Sequence, residues 1–255
     1  MSSAPVNPEI GLNIVAAGIS TNYHEVGHGD PVLLIHGSGP GVSAWANWRL
    51  TMPRLATRFR VIAPDMVGFG FTERPTGVRY DLDTWVGHAL GLLDALRIDR
   101  AHIVGNSFGG ALALALAIRH PQRVRRLVLM GAAGVPFTRA SIRPGVQEAF
   151  AAMFPAPRQR WVDALASPEE AIRALPHETL IVHGREDRVI PLSNALTLAR
   201  WIHRSQLHVF GRCGHWTQIE HAERFATLVG DFLAEASADE PRPLDPQEPR
   251  MEPLL

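Results

Sequence analysis

Gly105-Asn106-Ser107-Phe108-Gly109 lies between the apolar run His102 to Gly105 and the alanine- and leucine-rich stretch Phe108 to Arg119. The first run reads as a strand and the second as a helix that Pro121 stops. A serine at such a junction, with glycine two residues to either side, fits the Gly-x-Ser-x-Gly turn. In that turn the backbone is strained and lifts the serine hydroxyl clear of a sheet. A plain strand-to-helix turn with a serine N-cap is the competing reading. What surrounds the pentapeptide decides between them.

Working outward, β and α patterns alternate. Ile10 to Gly18 and Thr21 to Val26 read as early strands, and Pro31 to Ile35 as a buried strand ending in the loop His36-Gly-Ser-Gly-Pro-Gly41. A helix is expected from Asn47 to Ala56, a strand at Arg60 to Ala63, a glycine-punctuated turn at Asp65 to Gly70, and a helix from Leu82 to Leu96. Beyond Ser107 come a strand at Val124 to Met130, a strand at Thr179 to Val182, a helix from Leu192 to His203, a strand at Gln206 to Phe210 and a helix from Ala222 to Ala234. This order implies a parallel sheet with helices on both faces. Residues 135–176 interrupt it with six prolines among short helical pieces and are expected to form an inserted lid. The core then comprises 1–134 and 177–236. Residues 237–255 are rich in Asp, Glu and Pro and are expected to be a disordered tail.

Composition narrows the function. At 255 residues and 46% apolar, the chain can bury one large core. Lys plus Arg and Asp plus Glu balance at 25 each, which argues against a nucleic-acid or membrane partner and for a small molecule. Cys213 is alone, and the N-terminus MSSAPVNPEI has neither a basic nor an apolar leader region, so the cytoplasm is the expected compartment. Twelve histidines without a metal-ligand spacing predict no metal, and the His36 loop lacks the lysine of a phosphate-binding loop.

A serine nucleophile needs a base and a group that orients that base, here in the chain order serine, acid, histidine. Asp187 follows the strand ending at Val182, and Glu186 is its neighbour and rival. His215, in Gly211-Arg-Cys-Gly-His-Trp216, follows the last strand, whereas His183, His203, His208 and His221 are competitors on less suitable elements. Ser107, Asp187 and His215 are therefore the expected triad. The oxyanion donors are expected from the backbone N–H groups of Phe108, after the nucleophile, and Ser38, in the loop after the early strand.

The Gly-Ser-Gly-Pro-Gly loop with Trp45-Ala-Asn47, Asp65-Met-Val-Gly-Phe-Gly70, Gly105-Asn-Ser-Phe-Gly-Gly110 and Gly214-His-Trp216 resembles the meta-cleavage product hydrolases of the α/β-hydrolase fold, over residues 9 to 235. The resemblance implies cofactor-free hydrolysis of a carbon–carbon bond in 2-hydroxy-6-oxo-hexadienoates. It implies substrate contacts at Gly37, Gly39, Asn47, Asn106 and Trp216, and a homo-oligomeric assembly. Between Gly134 and Ser141 the chain is shorter than relatives, and the missing stretch includes the arginine that meets the substrate carboxylate. Arg139 is carried as its replacement, with Arg143 as the other choice. A reduced lid motivates the alternative of a small-ester carboxylesterase, and a non-enzymatic ligand receptor on the same fold is the contrasting class.

Overall fold

The computed structural model describes residues 7–39, 41–136 and 165–235. The region around Arg139 and Arg143 and the tail from residue 236 lie outside them. Eight strands form one sheet in the order β1-β2-β4-β3-β5-β6-β7-β8. They are β1 (Leu12–Ala16), β2 (Ile19–Val26), β3 (Asp30–Ile35), β4 (Phe59–Pro64), β5 (Ala101–Asn106), β6 (Val124–Met130), β7 (Thr179–Gly184) and β8 (Ser205–Phe210). β1 and β2 pair antiparallel, as do β2 and β4; every pairing from β4 onward to β8 is parallel.

Side chains alternate across the strands and divide the interior into two cores. On β3, Leu33 and Ile35 join one core, with Trp85, Leu92 and Leu112; Val32 and Leu34 join the other, with Trp48, Phe225 and Phe232. β5 is buried along its whole length, as expected of a strand covered on both faces. The helices are α1 (Ala44–Trp48), α2 (Met52–Leu55), α3 (Leu82–Ala95), α4 (Phe108–Arg119), α5 (Glu169–Arg173), α6 (Leu192–Trp201), α7 (Thr217–Glu220) and α8 (Ala222–Ala234).

The one helix expected over 47–56 is two short ones, offset toward the N-terminus. Ser43 caps the first by accepting from Ala46 N–H at 3.1 Å, and Pro53, which cannot donate to a preceding turn, sits at the start of the second. Part of the 135–176 insertion is described. Leu165, Ile172 and Leu175 are buried in the first core, and Ser167 N–H bonds Gly134 O at 2.9 Å, so α5 is anchored on the helical layer that holds α4.

Candidate active site

All parallel strands end at the same edge, and the loops that leave it meet there. Ser107 links β5 to α4 with φ 56 and ψ −114, a left-handed conformation that few side chains adopt. Two glycines make the turn possible. A Cβ on Gly105 would overlap Gly109 O, and one on Gly109 would overlap Ile35 O, so the helix start can press against β5 and β3 only without side chains there. Ser107 N–H bonds Met130 O at 2.9 Å, and Ala133 N–H bonds Ser107 O at 3.1 Å, which ties the strained residue to the end of β6.

The rest of the expected triad converges on that edge. His215 Nδ1 lies 2.7 Å from Asp187 Oδ2. Because a carboxylate only accepts, Nδ1 carries the proton and Nε2 is left with the lone pair a base requires. The Asp187 side chain is 0% exposed, and its other oxygen accepts from Val189 N–H at 2.8 Å and Ile190 N–H at 3.0 Å. Burial pushes its pKa up, but the His215 hydrogen bond, the His215 and His183 charges and the Val189 N–H together outweigh it and hold the group below the usual carboxylate value. Gly131, with φ +50, leaves room for the pair: a Cβ there would stand 3.2 Å from the His215 ring and 3.4 Å from Asp187 Oδ2. Gly131 is the residue after Met130, whose carbonyl receives Ser107, so both halves of the site meet across the end of β6. Ser107 Oγ and His215 Nε2 have no hydrogen-bond partner among the described residues, an openness common before substrate closes a site.

The rival residues are occupied elsewhere. Glu186 bonds Cys213 N–H at 2.9 Å and Arg185 at 2.9 Å, fixing the loop before His215 without touching its ring. Glu220 fixes the same loop from the other side, accepting from Gly214 N–H at 2.8 Å and Trp216 N–H at 3.2 Å. His208 and His221 pack on Phe210. His203 follows α6 in a turn. Cys213 is buried, and burial, with the charges of Glu220, Asp187 and Glu186, pushes its thiol up to about 12, which rules it out as a neutral-pH nucleophile.

His183 has a place that the sequence did not reveal. Its Nε2 lies 3.0 Å from Ile190 O and 3.4 Å from Asp187 Oδ2, both acceptors, so Nε2 carries the proton and faces the same carboxylate as His215. Its i, i+4 spacing to Asp187 was the available signal. Burial pushes its pKa down, opposed by Asp187 and by Ile190 O, with the His215 charge lowering it further.

The loop after β3 supplies the other wall. His36 Nε2 accepts from Met66 N–H at 2.9 Å, so Nδ1 holds the proton and donates to Gly37 O at 2.6 Å; burial pushes this imidazole's pKa down. Asn47 Oδ1 accepts from Gly37 N–H at 3.3 Å, while its buried Nδ2 has no partner among the described residues. Gly37 lies against Asn106 and Ser107: a Cβ on it would stand 3.0 Å from Asn106 Oδ1 and 3.5 Å from Ser107 Cβ. Asn106 Nδ2 reaches Met130 O at 3.4 Å. Ser38 and Gly39 continue the loop, and Gly39 O accepts from Val42 N–H at 3.4 Å. Phe108 begins α4, where the helix dipole is positive. Trp216 is 53% exposed and meets the His215 ring edge-on, centroids 5.5 Å apart. Arg139 lies outside the described residues.

Behind this wall sits a second buried carboxylate, Asp65. It accepts from Ala44 N–H at 2.6 Å, Phe71 N–H at 2.7 Å and Asn22 Nδ2 at 2.8 Å, fastening α1, the turn before Thr72, and β2 to one point. Gly70, at φ +48, is required beside it, because a Cβ there would overlap the carboxylate.

Comparison with known proteins identifies the family. A family model described as alpha/beta hydrolase fold matches residues 30–170 and 143–222. The chain is 62% identical to a 2-hydroxymuconate semialdehyde hydrolase of Pseudomonas sp. strain CF600, covering 92% of this chain and 98% of that one. It is 57% identical to a 2-hydroxy-6-oxo-2,4-heptadienoate hydrolase of Pseudomonas putida, over 90% and 98% of the two chains. The solved meta-cleavage product hydrolase of Pseudomonas fluorescens IP01 superposes with a TM-score of 0.82 at 55% identity, covering 89% of this chain and 98% of that one. The first alignment spans 278 positions against the 255 residues here, so that relative carries a stretch this chain lacks. With the strained serine turn, the buried histidine–aspartate pair and this degree of likeness together, the chain belongs to the meta-cleavage product hydrolases of the α/β-hydrolase fold.

Proposed function

We propose that the chain hydrolyses a carbon–carbon bond of 2-hydroxy-6-oxo-hexa-2,4-dienoate ring-fission products, 2-hydroxymuconic semialdehyde and its 6-alkyl analogues, in the catabolism of aromatic compounds. The products are 2-hydroxypenta-2,4-dienoate and a carboxylic acid. The observation that carries this reading is the buried His215–Asp187 pair at the edge that bears Ser107, in a chain whose relatives are named for these substrates.

The dienol first becomes its keto tautomer, so that the departing fragment can leave with its electron pair drawn onto the 2-oxygen as a dienolate. Ser107 Oγ adds to the C6 carbonyl as its proton passes to His215 Nε2, and Asp187 balances the imidazolium. The Ser38 and Phe108 N–H groups hold the oxyanion. The carbon–carbon bond at C6 then breaks as His215 passes its proton to the departing dienolate, and water, losing a proton to the now neutral His215, releases the acid and restores the Ser107 hydroxyl. Asn47, whose Nδ2 is a buried donor without a partner among the described residues, binds the dienoate portion with Asn106 and Trp216, along the backbone of Gly37 and Gly39. The substrate carboxylate falls to Arg139 or, as the other choice, to Arg143. No metal or cofactor enters these steps.

The insertion at 135–176 serves as a shortened lid, and the positions missing relative to the longer homologue favour a second reading, a carboxylesterase with the same triad. Among the described residues no helix is long and apolar enough to cross a membrane; the cytoplasm is the compartment proposed. A homo-oligomer is the assembly that goes with the family. The test is to follow loss of the yellow dienolate absorbance of 2-hydroxymuconic semialdehyde and its 6-methyl analogue, with p-nitrophenyl acetate and Ser107→Ala alongside. Fast bleaching that Ser107→Ala abolishes supports carbon–carbon hydrolysis. Ester turnover without bleaching replaces it with the esterase reading, and full turnover by Ser107→Ala overturns both.

A further inference from the structure

The opposite end of the sheet holds a polar cavity of about 290 Å³, where β3 to β6 begin and α8 ends. Arg58, Arg100, Arg125 and Arg126 all line it, with His102 at its wall. Gathering four guanidinium groups around one cavity is unfavourable unless anions offset them. The protein's own carboxylates do so unevenly. Arg58 pairs with Asp231 at 2.8 Å, and Arg126 reaches the carboxylate of Glu235 at 3.2 Å and its carbonyl at 3.0 Å.

Arg100 and Arg125 are less well matched. Arg125 has Asp30 at 3.6 Å, an ion pair beyond hydrogen-bond reach, and its Nε is buried without a hydrogen-bond partner among the described residues. Arg100 donates its Nε to Val124 O at 3.0 Å and has no carboxylate within ion-pair distance among the described residues. His102 is 5% exposed, and its Nδ1 likewise has no partner there. Burial pushes this imidazole down to about 4; the Arg125, Arg126 and Arg100 charges push the same way and Asp30 opposes them, the response expected of a net positive surrounding.

We propose that this cavity binds a small dianionic oxyanion, phosphate or a short dicarboxylate, through the Arg100 and Arg125 guanidinium groups, with His102 as a further hydrogen-bond partner. Guanidinium forks match the paired oxygens of both anions. The volume lies at the lower end of small-molecule pockets, which run from about 300 to 1,000 Å³, so the ligand has few heavy atoms. The site is remote from Ser107. It joins the starts of four strands to the end of α8, so an anion that binds only the folded chain raises its stability by mass action and leaves the hydrolytic chemistry alone.

Titration of the full chain with sodium phosphate, with sodium succinate and with sodium chloride at matched ionic strength tests this, read by melting temperature and by isothermal calorimetry. The expected result is a saturable rise with at least one dianion and none with chloride. Phosphate alone, or succinate alone, identifies the source. Arg125→Gln and Arg100→Gln should each weaken the binding at least tenfold while ester hydrolysis stays at the wild-type rate. Arg100 is exposed, so its variant keeps the test open if Arg125→Gln fails to fold. An equal or unsaturable rise with chloride, absence of any saturable heat, or unchanged affinity in the Arg100→Gln protein overturns the proposal.

Discussion

Asp65 and Asp187 are both fully buried carboxylates, each held by several hydrogen-bond donors, and they follow strands of the same sheet. The donors differ. Asp65 is met by two backbone N–H groups and an asparagine amide, none of which changes its proton count. Asp187 is met by two backbone N–H groups and by two imidazoles. The first arrangement fixes three segments of chain. The second can balance a positive charge that arrives on His215 during a reaction. A buried carboxylate thus declares its role through what donates to it.

The sharpest way to break this comparison is to remove what only Asp187 serves. His215→Ala is expected to lower kcat about 10⁶-fold, the scale of losing the base of a serine triad, with little change in melting temperature. Steady-state bleaching beside a thermal melt checks both halves. Asp65→Ala should do the reverse. It strands two buried donors, Ala44 N–H and Asn22 Nδ2, at about 1–3 kcal/mol each, a sizeable part of the stability of about 5–15 kcal/mol typical of a domain. Urea unfolding should show the loss, while activity per folded molecule persists.

Acid distinguishes further groups. His88 bonds Thr21 Oγ1 at 2.8 Å and accepts from Val67 N–H at 3.3 Å; burial, with the His36 charge, pushes it down to about 4. The unfolded chain binds that proton near pH 6.5 and the folded chain does not. The stability it confers is therefore complete above pH 6.5 and is lost as pH falls toward 4. Melting temperatures from pH 7 to 4 should decline, and less steeply in His88→Gln. The depressed Asp187 acts lower: its contribution is present above the unfolded value near 4 and is lost as pH falls through the folded one. The smallest effect belongs to His183. His183→Gln should lower kcat by about tenfold or less, as for one long hydrogen bond to a charged group, with KM unchanged. A loss as large as that of His215→Ala would place it in the proton path.

Much of this was legible in the residues. The β–α alternation, the glycines around Ser107 and the order of serine, acid and base give the architecture, because each depends on local spacing. Several strands differ from expectation only at their ends, and α4, β6 and α8 keep the expected bounds. The contacts of Asp65 were not legible. It appears in the chain as the start of a glycine-rich turn, and its partners come from residues 22, 44 and 71, which only the folded sheet brings together. The His183 contact was hidden for a related reason: a strand-end histidine reads the same whether it meets solvent or a carboxylate. Pro53 is the residue that signals the split between α1 and α2, but the apolar spacing runs on through it and reads as one helix.

The central claim, that Asp187 acts in the chemistry and Asp65 in the architecture, is tested most directly by one pair of proteins in one assay. Bleaching of 2-hydroxymuconic semialdehyde is measured for Asp187→Asn and Asp65→Asn, each rate divided by the folded fraction from circular dichroism. The account predicts a folded Asp187→Asn with a rate down about 10⁴-fold, and an Asp65→Asn that is less stable yet near the wild-type rate per folded molecule. An active Asp187→Asn, or a stably folded Asp65→Asn that fails to turn over, would contradict it.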